Sequence, residues 1–288
     1  MSIVLITGCS SGFGLETALA FARRGDTVCA SMRNLAKSER LTSRAASEGL
    51  IVHLIQLDVT DPDSVTQAVA GVVAQHGEID ILVNNAGVAY SAPVETFEMN
   101  RAMAAMDTNF WGAFRTIQAV VPAMRERRSG VIVNVLSVAA RVPGSGYTGM
   151  YGASKHALSR LSESLWFEIE RYGVRVVCIE PGMFATDIVA NATVPAALAT
   201  NGASPYAADQ AWVEEFFRKG VAAAGSPAVV ADAIVAAAND PSTPIHVLVG
   251  DDAAMLVDVA TQSDSVESFE AVMTAVIESQ SGPRPALG

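Results

Sequence analysis

Short runs of aliphatic and β-branched residues alternate along the chain with longer segments of helical period. Runs at 2–7, 27–31, 51–57, 79–84, 131–136, 174–180 and 245–249 predict strands. Most are apolar nearly throughout, as strands covered on both faces should be. The gaps read as helices. One over 15–24 follows the first strand, and one over 62–76 opens on Pro62 after Asp61, a residue suited to cap a first turn. The longest are 100–128 and 151–172, and Gly173 ends the second. Strand and helix in regular alternation predict an α/β fold, a Rossmann-type doubly wound parallel sheet of about seven strands in three α/β/α layers. No repeat or linker interrupts the sequence, so residues 1–288 are expected to form a single domain.

Two stretches break the rhythm. Residues 183–225 form a long insertion, read as a helical lid over the substrate. Within it Trp212, Val213, Phe216 and Phe217 share a helix face opposite Glu214, Glu215, Arg218 and Lys219. In the C-terminal part, 251–288, Val266, Phe269, Val272, Met273, Val276 and Ile277 mark an amphipathic helix. The tail from Ser279 to Gly288 is expected to fray.

Composition narrows the possible functions. Asp plus Glu number 30 against 19 Lys plus Arg, a net charge of −11 that repels phosphate backbones, so no nucleic-acid partner is expected. Cys9, Cys29 and Cys178 are odd in number, lie far apart and form no C-x-x-C. That suits a reducing cytoplasm and gives no disulfide framework. His53, His76, His156 and His246 lack ligand spacing, so no metal is expected. The start, Met1 to Ile6, reads as a strand and not as a signal peptide. The uncharged run 188–208 has the length of a membrane span, but it contains Asn191, Pro195, Asn201, Gly202 and Pro205. It reads as a loop, with no membrane partner.

Candidate chemistry begins where the first strand ends. Thr7-Gly8-Cys9-Ser10-Ser11-Gly12-Phe13-Gly14 has the spacing G-x-x-x-G-x-G and runs straight into a helix. Such a turn lets the backbone approach a pyrophosphate, and the helix start supplies N–H groups and a positive dipole end. Ser10 and Ser11 add hydroxyl donors. An ordinary glycine-bearing turn is the alternative, and the position between first strand and first helix favours the phosphate reading. After the second strand an NAD-binding fold usually has an acid for the ribose 2′-hydroxyl. Here Met32-Arg33-Asn34 has none, and Arg33 suits a 2′-phosphate, so NADP(H) is preferred over NAD(H). Lys37, Arg40 and Arg44 are read as a solvated helix face.

Tyr151 and Lys155, one helical turn apart, can point into one cleft. An ammonium nearby favours phenolate, which would lower the tyrosine pKa toward use as a proton donor and acceptor. Ser137 lies just past the fifth strand, at the carboxyl edge of the sheet where ligands bind. Asn84 is read as bracing the sheet, Asn109 as either functional or bridging backbone groups, and Tyr147 as loop packing near the substrate mouth.

These residues, with Asp58 after the third strand, Asn84-Asn85-Ala86-Gly87 after the fourth and Pro181-Gly182 with Thr186 after the sixth, resemble a classical short-chain dehydrogenase/reductase in order and spacing. The likeness is close over residues 3–190 and looser around 228–252. Cys9-Ser10-Ser11, Met32-Arg33-Asn34 and the segment 163–170 look like the hydroxysteroid and retinol dehydrogenase branch. The resemblance implies Tyr151 as general acid/base, Lys155 on the nicotinamide ribose, Ser137 orienting a carbonyl and Asn109 holding a relay water. It implies Asp58 at the adenine with Val59 beside it, Asn85, Ala86 and Gly87 along the adenine ribose, and Pro181, Gly182 and Thr186 at the nicotinamide end. Gly8, Ser10, Ser11, Gly12, Phe13 and Gly14 would hold phosphates, with Ser11 and Arg33 on the 2′-phosphate. Phe13 and Leu136 depart from the usual residues. Phe13 is expected to change packing under the nicotinamide, and Leu136 to make the pocket more apolar. The implied activity is NADP(H)-dependent interconversion of a carbonyl and an alcohol on a small-molecule substrate, and the apolar lid suggests a medium-to-bulky hydrophobic one. A non-catalytic NADP(H)-binding sensor or scaffold and an epimerase or dehydratase are the competing readings. The family resemblance and the apolar residues Leu158, Leu161, Leu165 and Trp166 point to a homodimer or homotetramer.

Overall fold

Alternation along each strand sets what the sheet buries on its two faces. In the strand Ile3–Ile6, Val4 and Ile6 pack to one side and Leu5 to the other, all three fully buried. The computed structural model describes residues 1–144, 146–188 and 204–286. Its strands are β1 (Ile3–Ile6), β2 (Thr27–Met32), β3 (His53–Gln56), β4 (Ile81–Asn84), β5 (Gly130–Val135), β6 (Val174–Pro181) and β7 (His246–Val249). They form one parallel sheet in the order β3-β2-β1-β4-β5-β6-β7. The order reverses between β1 and β4, so the crevice above the carboxyl ends of these strands is the natural ligand position.

The helices are α1 (Gly12–Arg23), α2 (Glu39–Ser47), α3 (Pro62–His76), α4 (Met99–Met106), α5 (Gly112–Arg127), α6 (Gly149–Ile169), α7 (Ala207–Ala223), α8 (Pro227–Asn239), α9 (Asp251–Gln262) and α10 (Val266–Ser281). One face of the sheet is covered by α1, α2 and α8 through Leu15, Leu19, Phe21, Leu41, Val230 and Ile234. The other is covered by α3, α5 and α6 through Val69, Val72, Ile117, Val120, Leu165 and Ile169. The three-layer architecture expected from the alternation is therefore the one observed.

Helix ends follow their sequence signals. Asp61 accepts hydrogen bonds from Asp63 N at 2.9 Å and Ser64 N at 3.3 Å, with Pro62 in the first turn. Gly173 takes φ 72° after a short 3₁₀ turn that closes α6. Two helices, α8 and α9, lie outside the predicted set, and α2 carries Arg40 and Arg44 of the expected solvated helix face. Within the predicted helix 100–128, a π-turn over Asp107–Trp111 separates α4 from α5. The first helix starts at Gly12, three residues before the expected position 15, because the turn is complete at Ser11.

The C-terminal region corrects several expectations. Trp212, Val213 and Phe216 of α7 do pack on α10 through Ile277, and the rest of the insertion over 189–203 lies outside the described residues. In α10, Phe269, Met273 and Ile277 are buried, whereas Val266 and Val272 face solvent. The described residues after Ser279, up to 286, are tied down where fraying is expected. Trp212 Nε1 donates to Gly282 O at 2.8 Å, Lys219 Nζ to Gln280 O at 2.7 Å, and Arg284 forks onto Asp209 at 2.7 and 2.9 Å. Of the four residues offered as an oligomer surface, Leu158 and Leu165 are consumed by the core, Leu161 is half-buried against it, and Trp166 alone is exposed. Among the described residues no helix is long and apolar enough to cross a membrane.

Candidate active site

The glycine-rich turn leaves β1 and doubles back against the loop after β4. Thr7 Oγ1 accepts from Asn85 N and Ala86 N, each at 3.0 Å, and Asn85 Nδ2 donates to Thr7 O at 2.8 Å and Gly8 O at 3.1 Å. Gly8 has φ 75°, and a Cβ there would lie 2.8 Å from Ala86 Cα, so neither the conformation nor the space admits a side chain. At Gly14 a Cβ would collide with Gly8 O and Asn85 Nδ2. The start of α1 is left open: Ser11 at its N-cap makes no side-chain cap bond, and the first turn holds no acid. An uncapped helix start with free N–H groups fits an anionic ligand such as a pyrophosphate. Thr186 closes over this turn, its Cβ 3.5 Å from where a Gly12 Cβ would be. Phe13 packs edge-on against Phe184, ring centres 5.8 Å apart.

Around this crevice stand the ends of β2 and β3. Arg33 is exposed and has no ion-pair partner among the described residues. Its neighbours form the expected solvated face: Lys37, Arg40 and Arg44 are all exposed, with Arg40 paired to Asp187 at 2.9 Å and Arg44 to Glu16. Asp58 Oδ1 accepts from Thr60 N at 3.0 Å and Thr60 Oγ1 at 2.8 Å, which fixes the loop, and Val59 next to it is buried against the space over Gly112.

Tyr151 and Lys155 enter the crevice from the first turns of α6, and Ser137 from the end of β5. Ser137 hydrogen bonds to the Tyr151 phenol, and Lys155 Nζ lies 5.9 Å from the centre of the Tyr151 ring. Lys155 is buried and donates from Nζ to Val135 O at 2.8 Å. Burial pulls its pKa down to about 8. The Tyr151 pKa is raised, not lowered: desolvation of the phenol outweighs the Ser137 hydrogen bond that works the other way.

Asn109 sits in the π-turn with its side chain fully engaged. Oδ1 accepts from Val88 N at 2.8 Å, and Nδ2 donates to Val88 O at 2.8 Å and Ser154 Oγ at 2.9 Å. The backbone-bridging alternative is what this geometry presents. The bridge holds Gly87 against both Asn109 Oδ1 and Lys155 Nζ, where a Cβ would meet them at 3.4 and 3.5 Å. Asn84 braces the sheet as expected, donating to Asn134 Oδ1 at 2.9 Å and accepting from Thr116 Oγ1 at 2.6 Å. Leu136 does not line the crevice but is buried among Ala113, Ala140, Leu158 and Cys178. Tyr147, at φ 59°, donates to Asp209 Oδ2 at 2.7 Å and so joins its loop to α7.

Residues 2–196 match the family model for short chain dehydrogenases. The chain belongs to this family. To the retinol dehydrogenase 8 of Homo sapiens this short chain dehydrogenase is 39% identical over 188 residues, 64% of its own length and 59% of the relative's. The match thus spans less than two thirds of that relative. A short-chain dehydrogenase from Streptomyces avermitilis has the same fold with a TM-score of 0.80 at 30% identity, covering 96% of this chain and 98% of that one. A gluconate 5-dehydrogenase from Burkholderia cenocepacia J2315, solved with NADP and tartrate, gives a TM-score of 0.71 at 28% identity, covering 88% and 95%.

Sequence reasoning missed several residues that shape the site. Thr7 accepts from Asn85 N and Ala86 N, and Ser154 accepts from Asn109 Nδ2 and donates to Tyr151 O. Glu180 left a signal, a single acid inside the apolar strand Val174–Pro181.

Proposed function

We propose that this short chain dehydrogenase is an NADP(H)-dependent oxidoreductase that interconverts a carbonyl and an alcohol on a hydrophobic small-molecule substrate of medium to bulky size. The observation that carries the reading is the meeting of Ser137, Tyr151 and Lys155 at the carboxyl ends of the strands, beside the uncapped start of α1. The names of relatives point the same way: a retinol dehydrogenase, and a gluconate 5-dehydrogenase solved with NADP.

Gly8, Ser10, Ser11, Gly12, Phe13 and Gly14 would hold the pyrophosphate, and Arg33 the 2′-phosphate. Asp58 and Val59 would meet the adenine, Asn85, Ala86 and Gly87 the adenine ribose, and Pro181, Gly182 and Thr186 the nicotinamide end. When bound, the nicotinamide supplies or accepts the hydride. Ser137 donates a hydrogen bond to the substrate oxygen and orients it. Tyr151 gives its phenolic proton to that oxygen in reduction and takes it back in oxidation. A raised phenol pKa keeps Tyr151 protonated at neutral pH, the form reduction needs. Lys155 bonds the nicotinamide ribose and, as an ammonium, offsets the phenolate that forms. Asn109 is kept in the site as a positioning residue.

The buried thiols of Cys9, Cys29 and Cys178, pushed up to about 12, 11 and 12 by desolvation, suit a reducing compartment such as the cytoplasm. The test is a panel of ketones, aldehydes and alcohols with each nucleotide, followed by the near-ultraviolet absorbance of the reduced form. Consumption of NADPH with apolar carbonyls, faster than of NADH, is the expected result. Tight binding of NADPH with no consumption by any carbonyl would turn the reading toward a sensor or scaffold.

A further inference from the structure

Glu180 has no exposed surface, yet it lies in β6 one residue before Pro181. A carboxylate withdrawn from water persists as a charge only with good partners. Its Oε1 is 2.8 Å from His246 Nδ1 on β7, and its Oε2 3.4 Å from Arg141 Nη1, in the loop that begins at Ser137. On its far side His246 Nε2 is 3.1 Å from Glu163 Oε1 on α6, the helix of Tyr151 and Lys155, and Glu163 also meets Arg160 at 2.5 Å. The nearby Cys178 thiol is neutral, pushed up to about 12 by burial. From the opposite side Asp252, in the first turn of α9, accepts from Met183 N at 2.6 Å, and Gly182 N donates to Val249 O at 2.9 Å. The turn Pro181-Gly182-Met183 is thus clamped between two carboxylates. Glu180 is the one of the two that also reaches the elements carrying Ser137 and Tyr151.

We propose that Glu180 is a positioning residue for the nicotinamide end of the site, holding the Pro181–Gly182 turn in register with the Ser137 loop and the Tyr151 helix through Arg141 and His246. The proposal rests on the reading of Pro181 and Gly182 as nicotinamide contacts. It also gives the turn a pH dependence. The charged groups facing His246 are Glu180 from β6, Glu163 from α6 and Arg141 from the loop after β5, and the hydrogen bond to Glu180 is the largest cause raising its pKa above the usual histidine value. A raised folded pKa means that the clamp is complete below the ordinary histidine range and weakens as pH rises through the raised value.

Calorimetric titration of the full chain with NADP⁺ and with 2′-phospho-ADP-ribose, which lacks the nicotinamide, separates this role from a general structural one. Glu180→Gln keeps the shape and removes the charge. It should bind 2′-phospho-ADP-ribose as the wild type does and NADP⁺ about tenfold more weakly, the scale of one charged hydrogen bond. If Glu180→Gln does not fold, His246→Gln serves: it should show the same selective weakening and lose the wild-type decline of NADP⁺ affinity as pH rises through the histidine range. Equal weakening of both ligands, or unchanged NADP⁺ affinity, would overturn the proposal. A wild-type protein that binds neither ligand would remove the nucleotide reading beneath it.

Discussion

Tyr151→Phe should abolish carbonyl reduction while leaving nucleotide binding in place. The phenyl ring keeps the packing of the first turn of α6, and only the hydroxyl that bonds Ser137 is lost. Positioned proton donors contribute about 10²–10⁴-fold to a rate, so kcat should fall by that factor. The dissociation constant for NADPH should stay close to wild type, because the residues proposed to hold the phosphates and the adenine follow β1, β2 and β3. The fall should also differ from that of Ser137→Ala, which removes the orienting bond but not the proton. A Tyr151→Phe enzyme with wild-type kcat would take the proton transfer away from this residue. Loss of NADPH binding in parallel would make Tyr151 a packing residue.

Arg33→Ala should weaken NADPH far more than NADH. The guanidinium stands exposed at the end of β2 with no carboxylate partner among the described residues, and the strand end holds no acid. Hydrogen bonds to a charged group contribute about 1.5–3 kcal/mol, so a loss of roughly 10–100-fold in NADPH affinity is expected, with NADH changed little. High salt should narrow the difference between wild type and variant, since the pair is solvent-exposed. Equal loss for both nucleotides would remove the 2′-phosphate assignment. Arg40 and Arg44, already engaged by Asp187 and Glu16, should show no such selectivity when replaced.

What the sequence made legible was governed by local rules. Strands buried on both faces are apolar nearly throughout, and the seven runs mark β1 to β7 within a few residues. Pro62 after Asp61 fixed the start of α3 because capping is a property of neighbouring residues. Of the two helices outside the predicted set, α8 lacks a local signal. In α8, Ala, Val and Ile surround nearly the whole helix, which packs against both the sheet and α1, so no polar face reveals its period. The π-turn at Asp107–Trp111 leaves no mark in a hydrophobic pattern that runs on through it.

Long-range charge pairing was equally out of reach. Arg284 is held by Asp209 across 75 residues of sequence, which is why a tail that looks free is fastened. Glu180 stood out as an acid in an apolar strand, but His246, its partner, is 66 residues away. The direction of the Tyr151 shift was misjudged for a related reason. Proximity of Lys155 is visible one turn along a helix, whereas the burial that dominates the phenol emerges only when α6 packs against the turn after β5 and the π-turn.

Transfer of label bears most directly on the central claim. NADPH carrying deuterium at the reactive C4 position, incubated with the wild-type protein and an apolar ketone, should yield an alcohol with deuterium on the carbinol carbon, while Tyr151→Phe yields none above background. An alcohol formed without the label, or a nucleotide that binds and is never oxidised by any carbonyl, would contradict it.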